Sequence, residues 1–489
     1  MFFFTKNTIL SAGQCLEKMH YDHFFPHLKK DYLGKNTFYD EKKEVKKLIL
    51  SFLGKGLWIK GETVEERVEE SKKAVLKKRK AIFNPVFVFD DILIEIDALI
   101  WSEKGYDIYD IKSASSLKTI FFDALALQLF VLNRLDIPTE KVILCTIHQN
   151  YTFHQKLEPE KLIEKREVRE SVLERIPKIT EKIETAKKAL ENKTMSFEKE
   201  IGKRCYFPEC GYLEDCWKKK QVPYPSIFNL SRMDKVSKFE LYSQGIKNLK
   251  DIPEEIVQKL EKKQKIQIEA DRTGKPFIDS EKIKEFLDTI TYPLYFLDFE
   301  TVQHPVPRFE GVKPNKHIPF QFSLHYLESE TSKLKHFEFL ADEKKDPRSF
   351  VAEKIVEWIN PNHCILSYNS GFEKAVIRKL AEFCPQKSET LLQIAQNIKD
   401  LMQPFKNFSY YQKEMNGRYS IKSVLSALIP EESYSKLNIK NGGEATFVYK
   451  SLEYIQDEKI KMEKKKDLLD YCRLDTYAMV LILNYLKKI

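Results

Sequence analysis

A chain of 489 residues is too long to close around one hydrophobic core, so two or three domains are expected. Hydrophobic content of 42% and charged content of 32% describe a soluble globular protein and exclude a fibrous or disordered one. No apolar run is long enough to span a bilayer, and a net charge of +9 is too modest at this size to argue alone for a nucleic-acid partner.

Met1–Phe4 is apolar but breaks at Thr5-Lys6, too soon for the core of a secretion signal, which points to the cytoplasm. Ile9–Cys15 begins a helix with Ser11 as the expected N-cap. His20, His23 and His27 follow among Tyr21, Phe24 and Phe25. No ligand-spaced partner stands beside them, so they are expected to pack on the aromatic rings. Residues 40–81 read as charged helix. Lys72, Lys73, Lys77, Lys78, Arg79 and Lys80 form a basic run that suits either a solvated face or contacts to phosphates.

Ala81–Phe89 is apolar and aromatic, Asp90-Asp91 makes a turn, and Ile92–Asp97 reads as a strand. Glu103–Gly105 is a hairpin turn with Tyr106–Ser113 as the returning strand. Asp110 and Lys112 stand two apart, hence on one strand face. Two acids for a metal, with a lysine beside the attacked phosphate, are what a hydrolytic metal nuclease needs. Leu117–Leu132 is an amphipathic helix carrying Gln128.

The order Asp97, hairpin, Asp110-x-Lys112, helix with Gln128 resembles the PD-(D/E)xK nucleases, nearest their RecB-like branch. Asp110 takes the place of the commoner Glu. The resemblance implies that Asp97 and Asp110 bind a divalent metal, that Lys112 stabilises charge at the phosphate, and that Gln128 orients substrate or water. In that family the strand entering the site often bears a Glu. Here Asn84 holds that place, a neutral and weaker ligand, which implies a slow or inactive site.

Residues 157–200 read as charged helix interrupted at Pro177. Cys205, Cys210 and Cys216 then lie so close together that a metal is expected rather than disulfides, with Cys15 available as a fourth ligand. One distant cysteine plus a cluster of three resembles the iron–sulfur nucleases of the RecB and AddB type and the CRISPR-associated adaptation nucleases. The resemblance implies a 4Fe–4S cluster stapling the ends of the domain. Zinc on the same four thiolates, or unliganded cysteines, are the alternatives. Cys145, Cys364, Cys384 and Cys472 stand in apolar surroundings and are expected as small buried side chains. Across 225–290, Leu241–Ile246 and Leu249–Pro253 read as two short helices around a Gly turn. That resembles a helix-hairpin-helix, whose turn amides hold a DNA backbone; a plain helical linker fits equally.

The last part of the chain turns on Tyr295–Thr301. Apolar residues lead into Asp298 and Glu300, two apart and so on one strand face. Like charges that close repel, and a divalent cation with a taste for oxygen, Mg²⁺ or Mn²⁺, removes the conflict. Pro319–His325 reads as a second strand, and His317, His325 and His363 as packing residues. Cys364–Leu366 leads through a turn into a helix carrying Glu373. Asp400 reads as a helix-end acid, and Gly442–Ala445 as the start of a helix. Tyr471 and Asp475 lie one helical turn apart.

This order resembles the DnaQ-like 3′–5′ exonucleases, whose motifs are Asp-x-Glu on a strand, an acid after an Asn-x-x-Phe turn, and Tyr-x-x-x-Asp on the last helix. Glu373 stands where the family usually has Asp. Tyr419–Leu425 resembles a segment that shapes the substrate cleft. The resemblance implies a two-metal centre of Asp298, Glu300, Glu373 and Asp475, with Tyr471 beside the attacking water.

Nearly the whole chain is therefore similar to a bacterial family that fuses the two nuclease types. The expected fold class is α/β: a restriction-endonuclease-like domain with its four-cysteine cluster over 1–224, a helical connector over 225–290, and an RNase H-like, DnaQ-like domain over 291–489. The expected function is a metal-dependent 3′–5′ exonuclease acting on nucleic acid, DNA ahead of RNA, with a second and weakened RecB-like site. The alternatives are an RNA-processing exonuclease, or a nucleic-acid-binding protein whose N-terminal nuclease fold is inactive.

Overall fold

Short β-branched and aromatic runs between charged helical stretches give a mixed α/β architecture, described for residues 3–29, 35–191, 201–206 and 209–489 in a computed structural model. The chain divides into two units. The first is Met1–Cys216 with His304–Lys316; the second is Trp217–Gln303 with His317–Ile489. Residues 225–290, expected as a connector, fall within the second unit. No helix among the described residues is long and apolar enough to cross a membrane.

In the first unit, six strands form one sheet in the order Leu57–Trp58, Ala81–Phe83, Ala98–Trp101, Tyr106–Ile111, Thr139–Ile147 and Ile163–Glu167. A smaller sheet orders Phe4–Thr5, Ile92–Glu95 and Val86–Phe89. The turn between its last two strands is left-handed, with φ 49° at Asp90 and 62° at Asp91, a conformation Asp tolerates. Asp97 sits where the chain leaves the small sheet and enters the large one. The expected hairpin follows, closed by Ser102 N–H donating to Gly105 O. Helix Thr119–Arg134 buries Leu125, Leu129 and Leu132 in the core.

Two expectations are corrected in this unit. The first helix runs Lys6–Gln14 and is capped by Thr5, whose side chain accepts from Thr8 N–H. Ser11 lies inside it and donates to Asp22 Oδ2 at 2.6 Å. The stretch read as charged helix contains a strand, Ile163–Glu167, antiparallel to Thr139–Ile147 at the sheet edge. Pro177 falls in the first turn of helix Ile176–Glu191, where no backbone N–H is required. Residues 192–200 of that stretch lie outside the described residues.

In the second unit, five strands order as Lys335–Leu340, Ile318–Leu327, Leu294–Val302, Cys364–Ser367 and Ile398–Asp400. Leu294–Val302 is antiparallel to Ile318–Leu327 and parallel to Cys364–Ser367. Its odd residues Tyr295, Leu297 and Phe299 pack with Val351, Ile355, Ile377, Leu380, Leu391 and Ile394 from three helices. Truncating the fully buried Leu297 to Ala would cost about 2–5 kcal/mol. The even residues face helix Glu458–Leu486.

That helix is held by the polar face of the neighbouring strand. Gln321 Nε2 donates to Leu468 O at 2.7 Å, and Thr476 Oγ1 lies 2.8 Å from both Ser323 Oγ and His325 Nδ1. Lys461 and Lys465 both pair with Glu343 near its start. These contacts fix the helix rotation, and with it the direction in which Tyr471 and Asp475 point. Among residues 225–290, helix Lys235–Ser243 ends at Gly245 with φ 87°, and the second expected helix is two single turns, Leu249–Asp251 and Glu254–Val257.

Candidate functional site

Asp298 and Glu300, from the central strand, meet Asp475 from the last helix. One carboxylate oxygen of each lies within 4.8 Å of the others. Glu373, on helix Gly371–Phe383, lies within electrostatic range of Asp298 and Glu300, and its Oε2 is buried without a hydrogen-bond partner. Burial pushes Asp298 well above the carboxylate range, and Asp475, Glu300 and Glu373 add repulsion in that order. Burial raises Glu300 and Glu373 each to about 8 and Asp475 to about 6. Such crowding is costly unless something positive joins it. The four acids and the orphaned oxygen therefore fit one or two divalent cations with oxygen ligands.

The walls of this site hold residues that the sequence does not announce. Tyr434, on the turn Tyr434–Lys436, donates from its hydroxyl to Asp475 Oδ1 at 2.6 Å. Lys422, at the start of helix Ile421–Leu428, donates from Nζ to the Tyr471 hydroxyl at 3.1 Å. Its ammonium lies 4.7 Å from the Tyr434 ring centroid and 4.9 Å from that of Tyr471. It is also the cation that pulls Glu300 and Asp475 downward. Cys472, expected as a small core residue, is buried but donates to Asp298 Oδ2 at 3.5 Å. Helix Gly442–Ser451 begins beside Glu300, where a side chain at Gly442 would meet Glu300 Oε2 at 3.4 Å.

Glu373 is aimed by the turn before it. Asn369 takes the left-handed conformation, φ 69°, and its N–H donates to Asp400 Oδ1 at 2.9 Å. Asp400 ends a short strand and also accepts from Met402 N–H, so its carboxylate is occupied in shaping the loop. His317 and His363 lie against aromatic rings, and His325 is buried beside Thr476.

In the first unit, the Asp97 and Asp110 carboxylates are each ion-paired with a lysine. Lys46 Nζ lies 2.5 Å from Asp97 Oδ1, and Lys112 Nζ lies 2.5 Å from Asp110 Oδ2. Asp97 Oδ2 accepts the Ile111 N–H at 2.7 Å. Gln128 is buried, and its Nε2 donates to Glu95 O at 3.0 Å. Asn84 is left-handed, φ 55°, and its N–H donates to Asp97 O at 3.1 Å. Burial raises the pKa of Asp110, with Lys112 opposing. The six residues of the basic run, 72–80, are exposed.

Cys15 lies between two helices at the N-terminus, and Cys205, Cys210 and Cys216 follow the first unit's last long helix. Burial raises the Cys210 thiol, Tyr212 N–H opposes this, and Cys15 and Cys205 are close enough to raise it further. Cys210 N–H also donates to Cys205 O at 2.9 Å. No three of the four sulfurs come within 4.8 Å of one another. His20 and His23 lie 4.6 and 4.2 Å from the Phe24 centroid, and His27 lies 6.3 Å from that of Phe25, the ring packing expected of them.

Residues 295–420 match the sequence profile of a family described as a domain of unknown function (DUF2779). The match takes in Asp298, Glu300 and Glu373 and stops short of Lys422, Tyr434, Tyr471 and Asp475. No curated protein and no solved structure matches the chain.

Proposed function

We propose that the second unit is a metal-dependent phosphodiesterase of the DnaQ-like kind, removing nucleotides from the 3′ end of a nucleic acid, DNA ahead of RNA. The observation that carries this reading is the convergence of Asp298, Glu300 and Asp475 within 4.8 Å, from a strand and a helix far apart in sequence. Asp298, Glu300, Glu373 and Asp475 would hold the cations. Two divalent ions in such a cage supply a water activated for attack and a counter-charge for the leaving oxygen. Tyr471 would orient the attacking water through its hydroxyl. Tyr434 holds Asp475 in place, and Lys422 sets its amine beside the acids, where burial lowers its pKa and Asp475 and Glu300 oppose this.

The test is cleavage of an end-labelled oligonucleotide with Mn²⁺. Asp298→Ala should abolish release of mononucleotides, because it removes the acid that both neighbours crowd. Full activity in that variant, or an unchanged rate in chelator, would sink the reading.

For the four cysteines of the first unit, an iron–sulfur cluster is the better reading over zinc. Four thiolates on one zinc ion stand roughly 3.8 Å apart, from a Zn–S bond of about 2.3 Å. No three of the sulfurs here come within 4.8 Å of one another. Cys15, Cys205, Cys210 and Cys216 would hold the cluster, and when bound it would tie the N-terminus to the end of the unit. The surrounding restriction-endonuclease-like arrangement is part of the same proposal.

A further inference from the structure

The hydroxyl hydrogens at the second unit's centre are already spent. Tyr434 and Tyr471 are 7% and 4% exposed, and both hydroxyls donate to Asp475. Lys422 lies over both rings and is only partly buried, so of the three it is the one that solvent reaches.

The amine is held in one place. It comes from the first turn of helix Ile421–Leu428, whose start is fixed by Ser420 accepting from Ser423 N–H. Lys422 Nζ donates to Lys440 O and, at 3.1 Å, to the Tyr471 oxygen. These bonds tie it to a second loop and to the last helix, so a long flexible side chain has little freedom left to lose. An ammonium has three hydrogens. Among the described residues the third has no partner. Asp475, Glu300, Glu444 and Asp298 lie within electrostatic range, and among the described residues none of them bonds it. A held donor with one hydrogen to spare, at the exposed side of a cage of acids, suits an anionic oxygen of the substrate. Lysine meets phosphate oxygens as a point donor, and such charge-assisted bonds are about twice as strong as neutral ones.

We infer that Lys422 is a catalytic residue that touches the substrate, its third hydrogen binding a non-bridging oxygen of the phosphate to be cleaved; this rests on the phosphodiesterase reading above. Tyr471 and Lys440 O aim the amine, and the Tyr434 ring walls it. A donor already fixed where negative charge grows on the phosphate favours the transition state over the ground state.

Thymidine 5′-monophosphate carries the phosphate that such a reaction releases, and thymidine is the same nucleoside without it. Each is titrated by calorimetry into the full-length, Mn²⁺-loaded protein. Lys422→Met should weaken the monophosphate roughly tenfold to a hundredfold, the scale of one hydrogen bond between charged groups, and leave thymidine unchanged. Lys422→Gln should do the same, and serves if Lys422→Met does not fold. Lys422→Arg, which keeps a charged donor, should bind the monophosphate more tightly than either. Mn²⁺ affinity, read by electron paramagnetic resonance, should be no weaker in these variants than in the parent. On the end-labelled oligonucleotide, Lys422→Met should lower kcat by about 10²- to 10³-fold. The inference is overturned if the parent protein does not bind the monophosphate, or if Lys422→Met and Lys422→Gln bind it as tightly as the parent does. It is equally overturned if they lose Mn²⁺ or thymidine in the same measure as the monophosphate, which would make Lys422 a strut. A parent protein that binds the monophosphate through Lys422 but leaves the oligonucleotide intact would sink the cleavage reading and keep the phosphate contact.

Discussion

The Tyr434 hydroxyl donates a 2.6 Å hydrogen bond to Asp475 Oδ1 with both side chains buried. That bond occupies one oxygen of a carboxylate that Asp298 and Glu300 approach within 4.8 Å. Groups that orient a metal ligand in this way typically contribute about 10- to 100-fold in metal affinity. Tyr434→Phe should therefore weaken Mn²⁺ binding by that order while changing thermal stability little in chelator. Electron paramagnetic resonance titration of free Mn²⁺ reads the affinity directly. An unchanged affinity would show that Asp475 is held by its helix alone.

Without a bound cation, the acids of the second unit make stability depend on pH. Burial, first among the causes, holds Glu300 and Glu373 up at about 8, against an ordinary value of 4.5. A carboxyl whose pKa is higher in the folded than in the unfolded state grips its proton more tightly when folded. Its contribution to stability is complete below about 4.5 and is lost as pH rises to about 8. The metal-free protein should thus melt at a lower temperature at the upper end of that window than at the lower. Glu300→Gln and Glu373→Gln should each flatten the dependence, and Mn²⁺ should restore the melting temperature at high pH by replacing the protons. Melting temperatures in chelator across this range, with and without the substitutions, check the sign.

Much of this site is legible in the sequence because two local periods write it. The strand pleat puts Asp298 and Glu300 on one face, and one helical turn puts Tyr471 above Asp475. Tyr434 and Lys422 escape such reading. They sit on a single turn and a helix start, and only tertiary packing brings them to Asp475 and Tyr471. Lys46 escapes for the same reason, as a helix residue that meets Asp97 across the fold. Ser11 misleads because a hydroxyl before an apolar run imitates a cap, while Thr5 does the capping and Ser11 bonds Asp22. Ile163–Glu167 misleads because an edge strand exposes alternate charged residues and so resembles a solvated helix.

The cysteine arrangement gives a separate prediction. If Cys15, Cys205, Cys210 and Cys216 hold a 4Fe–4S cluster, protein purified without oxygen should be brown and carry about four iron atoms per chain. Metal-binding free energy at a structural site is also folding free energy. Cys210→Ala should therefore lower the melting temperature of the first unit and leave that of the second in place. Stoichiometric zinc without iron in the purified protein would reject the cluster in favour of a single ion.

Tyr471 should act as a donor rather than a base. Burial first, then the charges of Asp475, Glu300 and Asp298, holds its hydroxyl far above the ordinary tyrosine range. A tyrosinate beside those acids would add a further negative charge to a buried cluster. Lys422 Nζ donates to the Tyr471 oxygen at 3.1 Å, and the Tyr471 hydroxyl is itself a donor to Asp475. Loss of a general base costs typically about 10²- to 10⁴-fold, whereas loss of one orienting hydrogen bond costs roughly tenfold. Tyr471→Phe should thus lower kcat by the smaller factor and leave the shape of the pH–rate profile as it is in the parent protein. If the substitution instead erases a rise in rate with pH, Tyr471 takes the proton from the attacking water and the donor role is wrong.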